Sequence, residues 1–203
     1  MDIEKIKEVA MKTMSRRKSH LQRERGFIFY HGQRVANMAI HLRKSLFPED
    51  SSKDDIIYVG ALFHDVAKGI EPHGKMGAQL IPHLLNEYCT AQELEQISEV
   101  VALHNARQRE GQPFYVKLVQ DADVLDHFGS LEIWLKFMYS AHTEENVFDA
   151  VALWDSKEHQ EYIENSRALL NYDLSQKIYD DRIEFERTFQ ERFALECNGE
   201  IFY

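Results

Sequence analysis

The chain has 203 residues, long enough to bury a substantial core, and its 44% hydrophobic and 29% charged residues match the balance of a soluble globular protein. A formal net charge of −10 argues against broad binding to nucleic acid or to an anionic membrane, while leaving room for a local basic pocket that takes phosphate. Cys89 and Cys197 have no metal or redox spacing, no apolar run approaches a membrane span, and Met1 to Lys5 lacks a signal-peptide stretch, so a cytoplasmic protein with reduced thiols is expected.

Four prolines and nine glycines leave few breaks for short strands, and long stretches rich in Leu, Ala, Glu, Gln, Lys and Arg predict a mainly α-helical chain. Residues 2–20 read as an amphipathic helix with a basic end at Arg16, Arg17 and Lys18, which suits a solvated helix C-terminus. A second helix is predicted from about Phe27 to Leu46, before Pro48. On it His31, Val35, Met38 and Leu42 share one face, so His31 lies at the end of the core stripe. A third, short helix begins with Asp54 and Asp55 and runs through apolar residues to His64 and Asp65, with Lys68 one turn further on.

After a break at Gly69 to Pro72, His73 opens another helix. Its Gly74, Gly77 and Ala78 would let a second backbone approach closely. Thr90 and Glu93 form a capping box for a helix whose buried face, Ile97, Val100 and Val101, ends at His104. Residues 114–128 carry Asp121, Asp123 and Asp126 on an otherwise apolar helix, with Val116, Val119 and Asp123 on one face. Residues 130–142, 144–170 and 173–196 read as three further helices. The last has an apolar stripe of Leu174, Ile178, Phe185, Phe189 and Phe193. The simplest organisation is one all-helical domain over 1–203: a core at about 27–129, with helix 2–20 and helices 130–203 packed on it.

Four apolar stripes thus end in His31, in His64 and Asp65, in His104 and in Asp123, with His73 just past the central pair. A buried ionisable group needs a partner, and each of these alone would be satisfied by an ordinary hydrogen bond or by water. Together they suggest a cation held between facing helices. Without cysteine ligands the donor set suits a hard or borderline divalent metal (Mn, Fe, Ni, Mg or Co) and does not choose among them.

The order His, His-Asp, Asp resembles the HD-domain metal-dependent phosphohydrolase superfamily. His31 to Ala36 looks like its first-histidine helix, Ala61 to Lys68 its signature segment, and Ala122 to Asp126 its late aspartate helix. The resemblance covers His31 to Gly129 and implies an HD-like helical bundle with additional C-terminal helices. It implies His31, His64, Asp65 and Asp123 as metal ligands. For members with a second ion it implies His73, from the segment His73 to Ala78, and His104. Asn105 stands where several two-metal members have another histidine, so the count stays at one or two ions. The Gly-Tyr-Pro signature of the cyclic-dinucleotide branch is absent.

The chemistry implied is hydrolysis of a small phosphorylated metabolite or nucleotide, whether monoester, diester or anhydride. Asp65 and Lys68 would be catalytic, and Lys68, Arg34 and Arg107 would contact phosphate. Asp121 and Asp126 are candidates to orient ligand histidines. Two alternatives are a regulatory module that senses a nucleotide or metal without turnover and a helical interaction protein that presents the Phe185, Phe189 and Phe193 stripe. The oligomeric state, a homodimer included, stays open.

Overall fold

The computed structural model describes residues 1–106 and 110–201. Among these residues there are ten α-helices and no strand, gathered into two compact units, Met1–Asp123 and Val124–Tyr203. No described helix is long and apolar enough to cross a membrane.

The first unit contains α1 (Ile3–Met14), α2 (Phe27–Leu46), α3 (Asp54–Phe63), α4 (His73–Leu85), α5 (Ala91–Leu103) and α6 (Phe114–Asp126) as far as Asp123. It is built around α3, whose residues Ile56, Ile57 and Val59 to Phe63 are all buried. A helix that is apolar all round must be enclosed by others, and α3 packs against α1, α2 and α5. Absent side chains bring the backbones together. A Cβ at Gly32 of α2 would stand 2.5 Å from the Leu62 carbonyl oxygen, and one at Gly60 of α3 would stand 2.6 Å from a Val100 methyl. Gly74 and Gly77 do the same for α4, which packs closely on α5, while Pro82 lies inside α4. The capping box at Thr90 and Glu93 is present in both directions. Buried Gln120 of α6 donates to the Leu103 carbonyl at 2.7 Å, satisfying an open acceptor at the end of α5 and seating α6 beside it.

The N-terminal helix stops at Met14 instead of continuing to residue 20, and the basic cluster does not cap it. The Arg17 guanidinium instead donates to the Val66 carbonyl and, at 3.1 Å, to that of Lys68. The turns following α3 leave carbonyls without intrahelical donors, and an arginine fork meets two of them where water would otherwise be needed.

In the second unit α7 (Ser130–Thr143), α8 (Val147–Trp154), α9 (Lys157–Ala168) and α10 (Asp173–Cys197) pack on one another. The single helix expected over 144–170 is two, because Asn146 and Ser156 each cap a separate start. On α10 the inward residues are Ser175, Tyr179, Ile183 and Glu186, whereas Phe185 is 52% exposed. Phe189 and Phe193 do pack inward, against Phe137 and Trp154 at ring separations of 5.6 to 6.2 Å. Two buried polar residues took places that hydrophobicity alone assigns to apolar ones. Tyr179 donates to the Ile163 carbonyl at 2.8 Å, and Glu186 accepts from the Gly129 N–H.

Candidate metal centre

Two helix ends point into one pocket. His64 and His104 are the C-terminal caps of α3 and α5, with the same backbone angles, φ −53° and ψ −37°. In each, the ring turns back on its own helix. His64 Nδ1 lies 2.6 Å from the Ala61 carbonyl and His104 Nδ1 lies 2.7 Å from that of Val101. A carbonyl only accepts, so Nδ1 carries the hydrogen in both rings, and in the neutral ring each Nε2 presents a lone pair to the facing donors. His73, at the first position of α4, is oriented similarly, by the Glu71 carboxylate at 3.0 Å from its Nδ1. For these three rings the orienting acceptors are two carbonyls and Glu71, rather than Asp121 and Asp126. Glu71 was missed; an acid two residues before the histidine, across Pro72, was its signal. His31, on α2, stacks against Phe27 with ring centres 5.3 Å apart.

The donor atoms converge in two adjoining groups. In the first, His31 Nε2 is 3.1 Å from Asp123 Oδ1 and 3.1 Å from His64 Nε2, which is itself 3.5 Å from Asp123 Oδ1 and 3.9 Å from Asp65 Oδ2. In the second, His73 Nε2 is 3.2 Å from His104 Nε2, and the two lie 3.4 and 3.6 Å from Asp65 Oδ1. Asp65 therefore faces one group with each oxygen. His31, His64, Asp65, His73 and His104 are buried, and the Asp123 side chain is 22% exposed.

The electrostatics favour a cation. Burial pushes the Asp65 and Asp123 carboxyls up, but the positive charge of the neighbouring imidazoles when protonated, with Lys68 beside Asp65, outweighs it and holds both well below the usual range. Burial lowers His104, against the pull of Asp65, which favours its neutral, ligating form. The negative ends of α3 and α5 add to the field. Asp65 Oδ1 is buried and receives no well-aligned hydrogen bond; the Lys68 ammonium at 3.4 Å offsets part of the cost of its burial, and a cation between the imidazoles would meet it further. Donors that share an ion at roughly 2.1 Å stand roughly 3 to 3.5 Å apart, close to the spacings in both groups. Within each of three sets (His31, His64 and Asp65; His64, His104 and Asp123; Asp65, His73 and His104) the donor atoms lie within 4.8 Å of one another. The residues fit a divalent cation.

At the rim, Lys68 Nζ is 3.4 Å from Asp65 Oδ1, with its side chain 28% exposed. Arg34 is half-buried on α2, one turn past His31, and Arg107 lies outside the described residues. Exposed Asn105 places its amide nitrogen 3.2 Å from His73 Nε2. Of the remaining six histidines, His20, His41, His83 and His142 are exposed, His127 is half-buried, and His159 is buried in the second unit.

Residues 28–127 match the family model described as the HD domain. The fold is that of HD-superfamily hydrolases. A Bacillus thuringiensis HD-superfamily hydrolase is 23% identical with a TM-score of 0.69, over 98% of this chain and 100% of that one. Bacillus subtilis YpgQ in complex with ADP is 17% identical, TM-score 0.65, over 94% and 97%. A predicted HD-superfamily hydrolase from an uncultured Thermotogales bacterium is 19% identical, TM-score 0.64, over 96% and 92%. No curated protein matches the chain.

Proposed function

Since this chain carries an HD domain, we propose that its histidine–aspartate cluster hydrolyses a phosphate ester or anhydride of a small phosphorylated metabolite or nucleotide. The observation that carries this reading is the convergence of four imidazole Nε2 atoms with the Asp65 and Asp123 carboxylates in two adjoining groups that share Asp65. His31, His64, Asp65 and Asp123 would hold one cation, and Asp65, His73 and His104 a second; the hard oxygens and neutral imidazoles suit Mn, Fe, Co, Ni or Mg. When bound, a divalent cation lowers the pKa of a water and neutralises charge on a phosphoryl oxygen.

The chain's own residues supply the rest. Asp65 accepts a hydrogen bond from the attacking water and fixes its direction. Lys68, beside Asp65, sets its ammonium against a non-bridging phosphate oxygen and screens the charge that gathers there. Arg34, one turn past His31, extends the cationic rim toward the rest of the phosphate, and the sequence offers Arg107 as a further phosphate contact. The water oxygen forms the new bond to phosphorus, the ester or anhydride bond breaks, and the leaving oxygen takes up a proton. A nucleotide is the favoured substrate class among these, because the related YpgQ fold holds ADP.

The test is phosphate or pyrophosphate release from a nucleotide panel by protein purified with manganese. Turnover lost in His64→Ala and Asp65→Ala, with the fold retained by circular dichroism, is the expected result. Tight nucleotide binding without turnover would instead identify a sensor, and turnover that survives both substitutions and a chelator would end the proposal.

A further inference from the structure

One half of the cluster carries a contact to a side-chain amide. In the half built from His73 and His104, the His73 Nε2 lone pair already has a partner, the Asn105 amide nitrogen at 3.2 Å. The direction of that bond follows from the far side of the ring, where Nδ1 faces the Glu71 carboxylate at 3.0 Å and must carry the hydrogen. In the neutral ring Nε2 therefore accepts, and the amide donates. Asn105 Oδ1 lies beside Gly74, where a Cβ would come within 3.1 Å, and the amide nitrogen faces His73. An imidazole lone pair can meet a hydrogen or a cation, not both.

We infer that Asn105 is a competitive latch on the second cation position: its amide hydrogen occupies the His73 lone pair, so an ion entering between Asp65 Oδ1, His73 and His104 must first displace it. The inference rests on reading the cluster as a cation centre and adds a competitor at its second position. That position fills only when the ion outcompetes the amide, which makes two-ion occupancy depend on the metal supply. Because Asn105 is exposed, water solvates the released amide and the latch opens without unfolding anything. The penalty is the net worth of one hydrogen bond, about two- to tenfold in affinity.

Manganese titration of the full chain by calorimetry, with electron paramagnetic resonance of the bound ion, reads this without any substrate. Wild-type protein should bind in a tight and a weaker step, with His73→Ala removing only the weaker. Asn105→Ala should tighten the weaker step about two- to tenfold and leave the tight step unchanged. A single step in the wild type that becomes two in Asn105→Ala would support the latch equally. A weaker step that is unchanged or weakened in Asn105→Ala overturns it while leaving the cation centre standing. Failure of the wild type to bind manganese at all overturns both.

Discussion

Replacing Gly32 with alanine tests whether the close approach of α2 and α3 sets the geometry of the cluster. The new Cβ would stand 2.5 Å from the Leu62 carbonyl oxygen, where ordinary contact begins at 3.4 Å. That oxygen belongs to a helix backbone and cannot rotate aside, so the helices must separate by roughly 0.9 Å, a displacement of the kind that overpacking forces on a core. Overpacking costs about 1–3 kcal/mol, and alanine's better helix propensity returns about 1 kcal/mol. The net loss of about 0–2 kcal/mol corresponds to a melting temperature at most about 8 °C lower in a chain of this size. The effect on the site should be larger than the effect on stability. His31 and His64 flank the contact, and their Nε2 atoms are 3.1 Å apart. Ligand sets tolerate about 0.5 Å of error, so a separation of this size should lower manganese affinity by tenfold or more. Calorimetric melting in chelator and a manganese titration measure the two effects, with Gln33→Ala, exposed on the same helix, as the control. An unchanged metal affinity in Gly32→Ala would refute the view that this contact sets the ligand spacing.

Two further outcomes follow from buried charges. Burial raises the Glu186 carboxyl to about 8, with Glu132 adding to it, against the Gly129 N–H and Arg182. The folded chain thus holds a proton that the unfolded chain releases near the ordinary glutamate value. The associated stability is full below that value and is lost as pH rises toward 8, by as much as roughly 5 kcal/mol. Glu186→Gln should remove this slope, which urea unfolding at pH 5, 7 and 9 would reveal; parallel slopes in the two proteins would contradict it. Arg17→Ala should free the Val66 and Lys68 carbonyls, loosen the turn that carries Asp65, and weaken manganese binding, while Arg17→Lys recovers part of it. Equal affinity in all three proteins, measured by calorimetry, would leave Arg17 with no part in the site.

What local chemistry dictates could be read from the residues in order. The helical repeat, the Thr90 and Glu93 capping box, the small residues of α4, and apolar faces closed by His31, His64, His104 and Asp123 all depend on neighbours within a turn or two. The caps at Asn146 and Ser156 were equally local, but the expectation over 144–170 followed the helical repeat and passed over them. Contacts between distant segments were different. Arg17 reaches the turn after α3 across 49 residues of chain, and Glu186 meets Gly129 across 57. A side chain's own neighbours do not say whether it will meet water or an unpaired backbone group from elsewhere. The same is true of the cluster. A sequence can end a stripe in histidine, but only packing turns Nδ1 onto a carbonyl and aims Nε2 at Asp65, because that choice depends on which helices meet and how closely their glycines let them approach.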